Sequence, residues 1–229
     1  MRLNLFIDAD DTLWENNIYF ERAFDEFVDY LNHSTLSPRE VRDVLDDIER
    51  VNSKVHGYGS KNFGRNLVEC YQHLRERHIS EDEAQTITGF ALRILEQPLE
   101  IIDGVPETLA FLQERHNLTL FTKGNPEEQR FKVDSSGLAH FFSHVEIVKE
   151  KDAAVYQLAL ASRELDPRDS WMIGNSPKSD VNPALAAGMN AVFIPHARTW
   201  ILEREEIRTE GAVGTYFELG DFRELKDRF

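Results

Sequence analysis

Leu3 to Ile7 is a near-continuous apolar run that stops abruptly in acid, with Asp8, Asp10 and Asp11 falling within four residues of one another. An apolar run without alternation describes a strand covered on both faces, which is the environment of a parallel sheet with helices above and below. Parallel strands need long crossover connections, so a chain that starts this way has to continue as alternating strands and helices. Ligands of open α/β sheets bind beyond the carboxyl ends of the strands. Carboxylates at the end of this run are therefore candidate site residues.

The rest of the chain supplies the expected partners. Buried strands are read at Asn117–Phe121, His144–Val148, Ser170–Ile173 and Asn190–Ile194, and Gly214 to Leu219 adds a short sixth. Helices are expected over Glu107–Arg115, from Pro126 to about Val133, over Ala153–Leu165 and over Val181–Ala187. The last of these has Pro183 in its first turn and Gly188 as its stop. An acidic and basic helix from Thr199 to about Thr209 is expected to face solvent, docked by Trp200, Ile201 and Leu202. The fold class is α/β, a doubly wound, Rossmann-like parallel sheet with an inserted all-helical domain.

The insert lies between the first strand and the second. Phe20, Ala23, Phe24, Phe27, Val28 and Leu31 recur at helical spacing, as do Val41, Val44, Leu45 and Ile48. Leu67, Cys70, Tyr71 and Leu74 form a third apolar stripe, and Ala84, Ile87, Phe90, Ala91 and Ile94 a fourth. Ser37-Pro38-Arg39-Glu40 is a helix start. Residues 15–102 are expected to form a small helical cap, and 1–14 with 103–229 the α/β core, the return being punctuated by Gln97-Pro98 and Asp103-Gly104-Val105-Pro106. Such an insert, leaving the sheet at its carboxyl edge, can act as a lid. Its glycine-punctuated loop, Val55 to Phe63, makes Tyr58, Lys61 and nearby Arg65 candidates for substrate selection; a plain surface turn with solvated cations reads equally well.

Four of the five main strands end in polar clusters. After Asp8-x-Asp10 come Thr122-Lys123-Gly124-Asn125, then Lys149-Glu150-Lys151-Asp152, then Gly174-Asn175-Ser176-Pro177-Lys178-Ser179-Asp180. Each has a bland reading: a Thr that finishes a strand, a solvated charge run, an Asp that caps a helix. Together, on one edge of one sheet, they suit an anion. Thr122 with the following glycine can offer a hydroxyl and free N–H groups to phosphate oxygens, and Lys123 and Lys151 can offer charge. Lys151 is preferred over Lys149 because it falls where the next helix begins.

Composition narrows the partners. The 229 residues are 41% hydrophobic, enough for a sizeable core, and carry a formal charge of −15. That charge argues against a nucleic-acid polymer or an anionic membrane surface as partner. One cysteine, Cys70, and the lack of an apolar leader suit a reducing cytoplasm. Oligomeric state leaves no mark in the sequence.

Asp8-x-Asp10-x-Thr12-Leu13, followed in order by Thr122, Lys151 and Gly174-Asn175-Ser176-x-x-x-Asp180, resembles the ordered motif set of the haloacid dehalogenase superfamily. The resemblance covers Met1 to Leu13 and Asp103 to about Phe193, and the helical insert resembles the cap type placed after the first motif. It implies a phosphatase acting on a small phosphorylated metabolite. Asp8 would be the nucleophile and Asp10 the acid and base, with Thr122, Lys123 and Lys151 on the phosphoryl group. Mg2+ would be held by the carboxylates of Asp8 and Asp180 and the backbone carbonyl of Asp10. Asn175 departs from the pattern, since a carboxylate is frequent there, and would reach the metal through water. Asp11 is expected to be solvated. A sugar phosphomutase or a 2-haloacid dehalogenase of the same superfamily remains an alternative, as does a non-catalytic phospholigand-binding module, although Asp10 and Asp180 favour phosphate chemistry.

Overall fold

The computed structural model describes residues 2–75 and 78–229. Along the chain the elements are β1 (Asn4–Ile7), α1 (Asn17–Leu31), α2 (Pro38–His56), α3 (Ser60–Arg75), α4 (Glu81–Leu92), α5 (Val105–Arg115), β2 (Asn117–Lys123), α6 (Pro126–Ser135), β3 (His144–Val148), α7 (Ala153–Ala161), β4 (Ser170–Gly174), α8 (Asn182–Ala186), β5 (Asn190–Phe193) and β6 (Tyr216–Glu218). Two compact units result, one built from the chain up to Glu15 and from Leu99 onward, the other from Asn16 to Pro98.

The first unit is a six-stranded sheet in the order β3-β2-β1-β4-β5-β6. Every pair in it is parallel. Successive side chains of a strand point to opposite faces, and β1 uses both. Leu5 and Ile7 pack with Leu118, Leu120, Leu109 and Leu112 on one face, and Phe6 packs with Phe121, Tyr156 and Met172 on the other. The continuous apolar run is thus the consequence of a central strand that has no solvent side. Ile7 lies in register with Leu120 of β2 and Ile173 of β4. The residues that follow in each strand leave the sheet together at its carboxyl edge.

Two expected helices are shorter than the pattern suggests. α7 ends at Ala161, and Glu164 turns the chain at a φ of 54°. Thr199–Thr209 is not a surface helix; it holds one 3-10 turn, Ile201–Glu203. The cause is Glu203, which is buried against Lys123, Ser176 and Ser179 and draws the segment inward.

The second unit is all-helical. Phe24, Phe27, Leu31, Leu45, Leu67, Cys70 and Ile87 form its core. Ser37 and Glu40 close a reciprocal capping box at the start of α2, and Ser80 and Glu83 do the same for α4. Each box satisfies two N–H groups that a helix start leaves open. Tyr58 lies in the turn between α2 and α3, and Lys61 and Arg65 are exposed in the first turns of α3. Among the described residues no helix is long and apolar enough to cross a membrane.

Candidate active site

Asp8 continues the line of β1, its N–H donating to the Ile173 carbonyl at 2.9 Å. The chain then turns sharply: Leu13 N–H donates to the Ala9 carbonyl at 2.8 Å, and Asp11 takes a left-handed φ of 59°. This turn buries Asp11 instead of leaving it solvated. Thr12 comes round beneath Asp8 and donates its hydroxyl to Asp8 Oδ2 at 3.1 Å.

Asp180 arrives from the other side. Pro177–Val181 forms a π-helical turn capped by Ser176, so Asp180 lies inside a wide helical turn and not at a helix cap. Ser176 Oγ accepts from Ser179 N–H, and Ser176 N–H donates to Asp180 Oδ2 at 2.9 Å. Tyr156, fully buried, fixes the same turn by donating to the Ser179 carbonyl at 2.9 Å.

Lys151 joins the two acids. Its ammonium donates to Asp8 Oδ1 at 2.6 Å and to Asp180 Oδ1 at 2.7 Å, and its side chain is 1% exposed. Two buried carboxylates share one cation, which leaves an excess of negative charge. Burial, followed by the charge of Asp180, pushes Asp8 up to about 7, with Lys151 opposing. Burial would lower the Lys151 pKa, but Asp180 and Asp8 hold it above its ordinary value. Thr122, at the end of β2 beside Ile147, is also buried.

Asp10 sits in a different setting. Lys132 donates to both of its oxygens, at 2.6 and 2.7 Å, Gln129 Nε2 donates at 2.8 Å and Trp14 Nε1 at 2.7 Å. Burial alone would raise its pKa; Lys132 and these donors hold it below the ordinary carboxylate value. Neither Gln129 nor Lys132 stands out in the sequence. The one available signal was their spacing of three along a helix that follows a strand end, which puts both on one face.

The lysine pair divides. Lys151 reaches the acids, whereas Lys123, expected on the phosphoryl group, is tied to Glu203 at 2.7 Å, Ser179 Oγ at 2.7 Å and Glu150 at 3.2 Å. Burial would push Glu203 up, but Lys123, Ser176 and Ser179 keep it below its ordinary value. Lys123 therefore braces the Ser176–Asp180 turn through Ser179 and Glu203. Asn175 accepts from Thr12 Oγ1 at 3.4 Å and donates to Thr199 Oγ1 at 3.2 Å, so it shares Thr12 with Asp8.

The donors suit a hard divalent cation. Each carboxylate of Asp8 and Asp180 has lone pairs beyond those already engaged, and the pair carries more negative charge than Lys151 neutralises. Asp11, Glu15 and His196 form a separate set, with ligand atoms within 4.8 Å of one another. It lies just past Asp10 along the chain but does not include Asp8 or Asp180.

The chain is similar to known proteins in sequence and in fold. Residues 4–188 match the family model described as haloacid dehalogenase-like hydrolase. A solved haloacid dehalogenase-like family hydrolase from Xanthomonas campestris is 30% identical, with a TM-score of 0.84 over 99% of this chain and 90% of that one. The phosphoserine phosphatase of Thermus thermophilus is 37% identical over 98 residues, only 39% of either chain's length. The human N-acylneuraminate-9-phosphatase is 24% identical over 206 residues, 82% of this chain and 79% of that one. A family model that spans most of the chain, on a fold that brings Asp8, Lys151 and Asp180 into contact at one sheet edge, shows that the chain belongs to the haloacid dehalogenase-like hydrolase family.

Proposed function

We propose that the protein is a magnesium-dependent phosphatase of a small phosphomonoester, working through an aspartyl-phosphate on Asp8. The observation that carries this reading is the Lys151 bridge between Asp8 and Asp180, with Asp10 held separately two residues further on. The phosphatase names of the Thermus and human relatives support it.

In this reading Asp8 Oδ attacks phosphorus, the bond from phosphorus to the alcohol oxygen breaks, and Asp10 delivers the proton that oxygen needs. Water then attacks phosphorus, Asp10 takes its proton, and the bond between phosphorus and Asp8 Oδ breaks to release phosphate and restore the carboxylate. Thr12 and Lys151 orient the Asp8 carboxylate, and Thr122 and Lys151 receive phosphoryl oxygens. The two acids need different environments to play opposite roles. In the metal-free protein burial and Asp180 favour the neutral form of Asp8, and Lys132 the ionised form of Asp10. In this reading a cation at Asp8 would therefore be what ionises the nucleophile, and Asp10 would take up its proton once the substrate is bound. Magnesium would be held by Asp8, Asp180 and the Asp10 carbonyl, and it would supply positive charge against the developing oxyanions. Tyr58, Lys61 and Arg65 are proposed to select the substrate from the helical unit.

The test is phosphate release from a broad panel of phosphomonoesters, with magnesium and with chelator, by the native protein and by D8N. Magnesium-dependent release that disappears in D8N is the expected result. Halide release from a 2-haloacid without metal, in place of phosphate release, would overturn the proposal in favour of a dehalogenase.

A further inference from the structure

We infer that Lys132, with Gln129, forms a positioning pair that sets the Asp10 carboxylate for proton transfer to the leaving oxygen. The inference rests on the phosphatase reading and adds to it two residues outside the motif set. Asp10 receives four N–H donations from three side chains: two from Lys132, one from Gln129 and one from Trp14. Donors on both oxygens fix the plane of the carboxylate as well as its position, and charged donors do so most strongly.

α6 is built to deliver them. Asn125 caps it by accepting from the N–H groups of Glu127 and Glu128, which starts the helix directly after the end of β2. Gln129 and Lys132 are then one turn apart on the face turned to Asp10. Gln129 Nε2 also donates to the Lys123 carbonyl at 3.0 Å, which anchors the amide to the strand end. The space it fills exists only because Gly124 has no side chain: a Cβ there would lie 2.7 Å from Gln129 Nε2. With both acceptors facing Nε2, Gln129 Oε1 is left buried with no hydrogen-bond partner among the described residues. A buried amide oxygen with nothing to accept from is costly unless something else supplies the proton. That cost is borne so that Nε2 can face both Asp10 and the Lys123 carbonyl, the orientation that holds the carboxylate. A salt bridge present only for stability would not require the second donor.

The test uses the dependence on leaving group. Phosphoryl transfer from 2,4-dinitrophenyl phosphate releases a phenolate that needs no proton, whereas transfer from an alkyl phosphate releases an alkoxide that does. Because kcat/KM reports steps up to the phosphoenzyme, the later hydrolysis does not enter the comparison. The full-length protein with magnesium is assayed on dinitrophenyl phosphate and on whichever of phosphoserine, glycerol 3-phosphate and ethyl phosphate the native protein turns over fastest. K132M is expected to lose about 100-fold in kcat/KM on the alkyl ester, the scale of a misplaced catalytic group. On dinitrophenyl phosphate it should stay within about threefold, and K132R should recover most of the loss. Q129L, which keeps the ion pair, should show the same split at about tenfold, the scale of one hydrogen bond to a charged group. D10N should give the K132M pattern. Equal losses on both esters, or none on either, overturn the positioning role while leaving the phosphatase reading intact. A native protein that releases phosphate from no ester overturns both.

Discussion

Asp180 folds its carboxylate across the bare Cα of Gly174: a Cβ at position 174 would lie 2.2 Å from Asp180 Oδ2 and 2.5 Å from its Cγ. The glycine is needed here for close approach and not for an unusual φ. Asp180 can meet both Lys151 and the Ser176 N–H only while that space stays open.

Gly174→Ala therefore displaces Asp180 and strains the turn that carries it. Overpacking of this kind costs roughly 1–3 kcal/mol. The expected outcome is a lower denaturation midpoint together with weaker activation by magnesium. A variant with native stability and native magnesium dependence would show that the turn absorbs a methyl without moving the acid.

Lys123→Met leaves buried Glu203 with only the half-exposed Lys178, at 4.0 Å, as a cation, and breaking one side of a buried pair costs about 3–5 kcal/mol. Glu203 is held below its ordinary pKa. Its contribution to stability is thus present above the unfolded carboxylate pKa and lost as the pH falls through the folded value. The loss in Lys123→Met is expected to be largest at neutral pH and to shrink in acid, where Glu203 takes up a proton. Adding Glu203→Gln to Lys123→Met should recover part of the stability. Urea melts of the single and double variants check this, and a double variant no more stable than Lys123→Met would show that the pair is not coupled.

How far the sequence reaches is visible in these same residues. The run Leu3–Ile7 forces a doubly covered strand, and the order of strand ends brings Asp8, Lys151 and Asp180 into contact in the structure. What stayed hidden is contact at long sequence distance. Lys132 is 122 residues from Asp10 and Glu203 is 80 from Lys123, and neither pair leaves a local pattern. Thr199–Thr209 has the composition of a solvated helix, but one buried acid outweighs that local preference. Asp11 looks like surface because it is charged, and it is buried because a tight turn in the left-handed region takes it inward.

Asp8 gives a pH dependence of the opposite sign to Glu203. Its pKa is pushed from an ordinary 3.8 up to about 7 by burial and by Asp180. The fold therefore favours the neutral acid, and stability is lost as the pH rises from about 4 through 7, where the folded protein must ionise it. Asp8→Asn removes that titration. With chelator present, Asp8→Asn is expected to melt above the native protein, by a margin that grows from pH ~5 to pH ~8. Calorimetry at the two values measures the margin. A margin that stays flat or narrows would mean that Lys151 offsets both carboxylates and that Asp8 is ionised throughout.

Asn175 is the position at which the chain departs from the motif set it resembles, and its contacts set what a carboxylate would do there. Asn175 Oδ1 shares the Thr12 hydroxyl with Asp8 Oδ2, so Asn175→Asp would add a charge beside the Asp8 carboxylate. Its Nδ2 also donates to Thr199 Oγ1, a bond the acid could keep only if the hydroxyl turned to donate. Without a cation both changes destabilise the fold, because Lys151 would then face still more negative charge. With a divalent cation the sign reverses, since a ligand that binds only the folded state stabilises it in proportion to its affinity. Asn175→Asp is expected to melt below the native protein in chelator and to gain more from magnesium, with an affinity tighter by about tenfold, or ~1.4 kcal/mol. Titrating magnesium into both proteins and following the melting temperature decides the matter. An equal or smaller gain in Asn175→Asp would place Asn175 too far from the cation to matter and would turn the substitution into a defect of the Thr12–Thr199 contact alone.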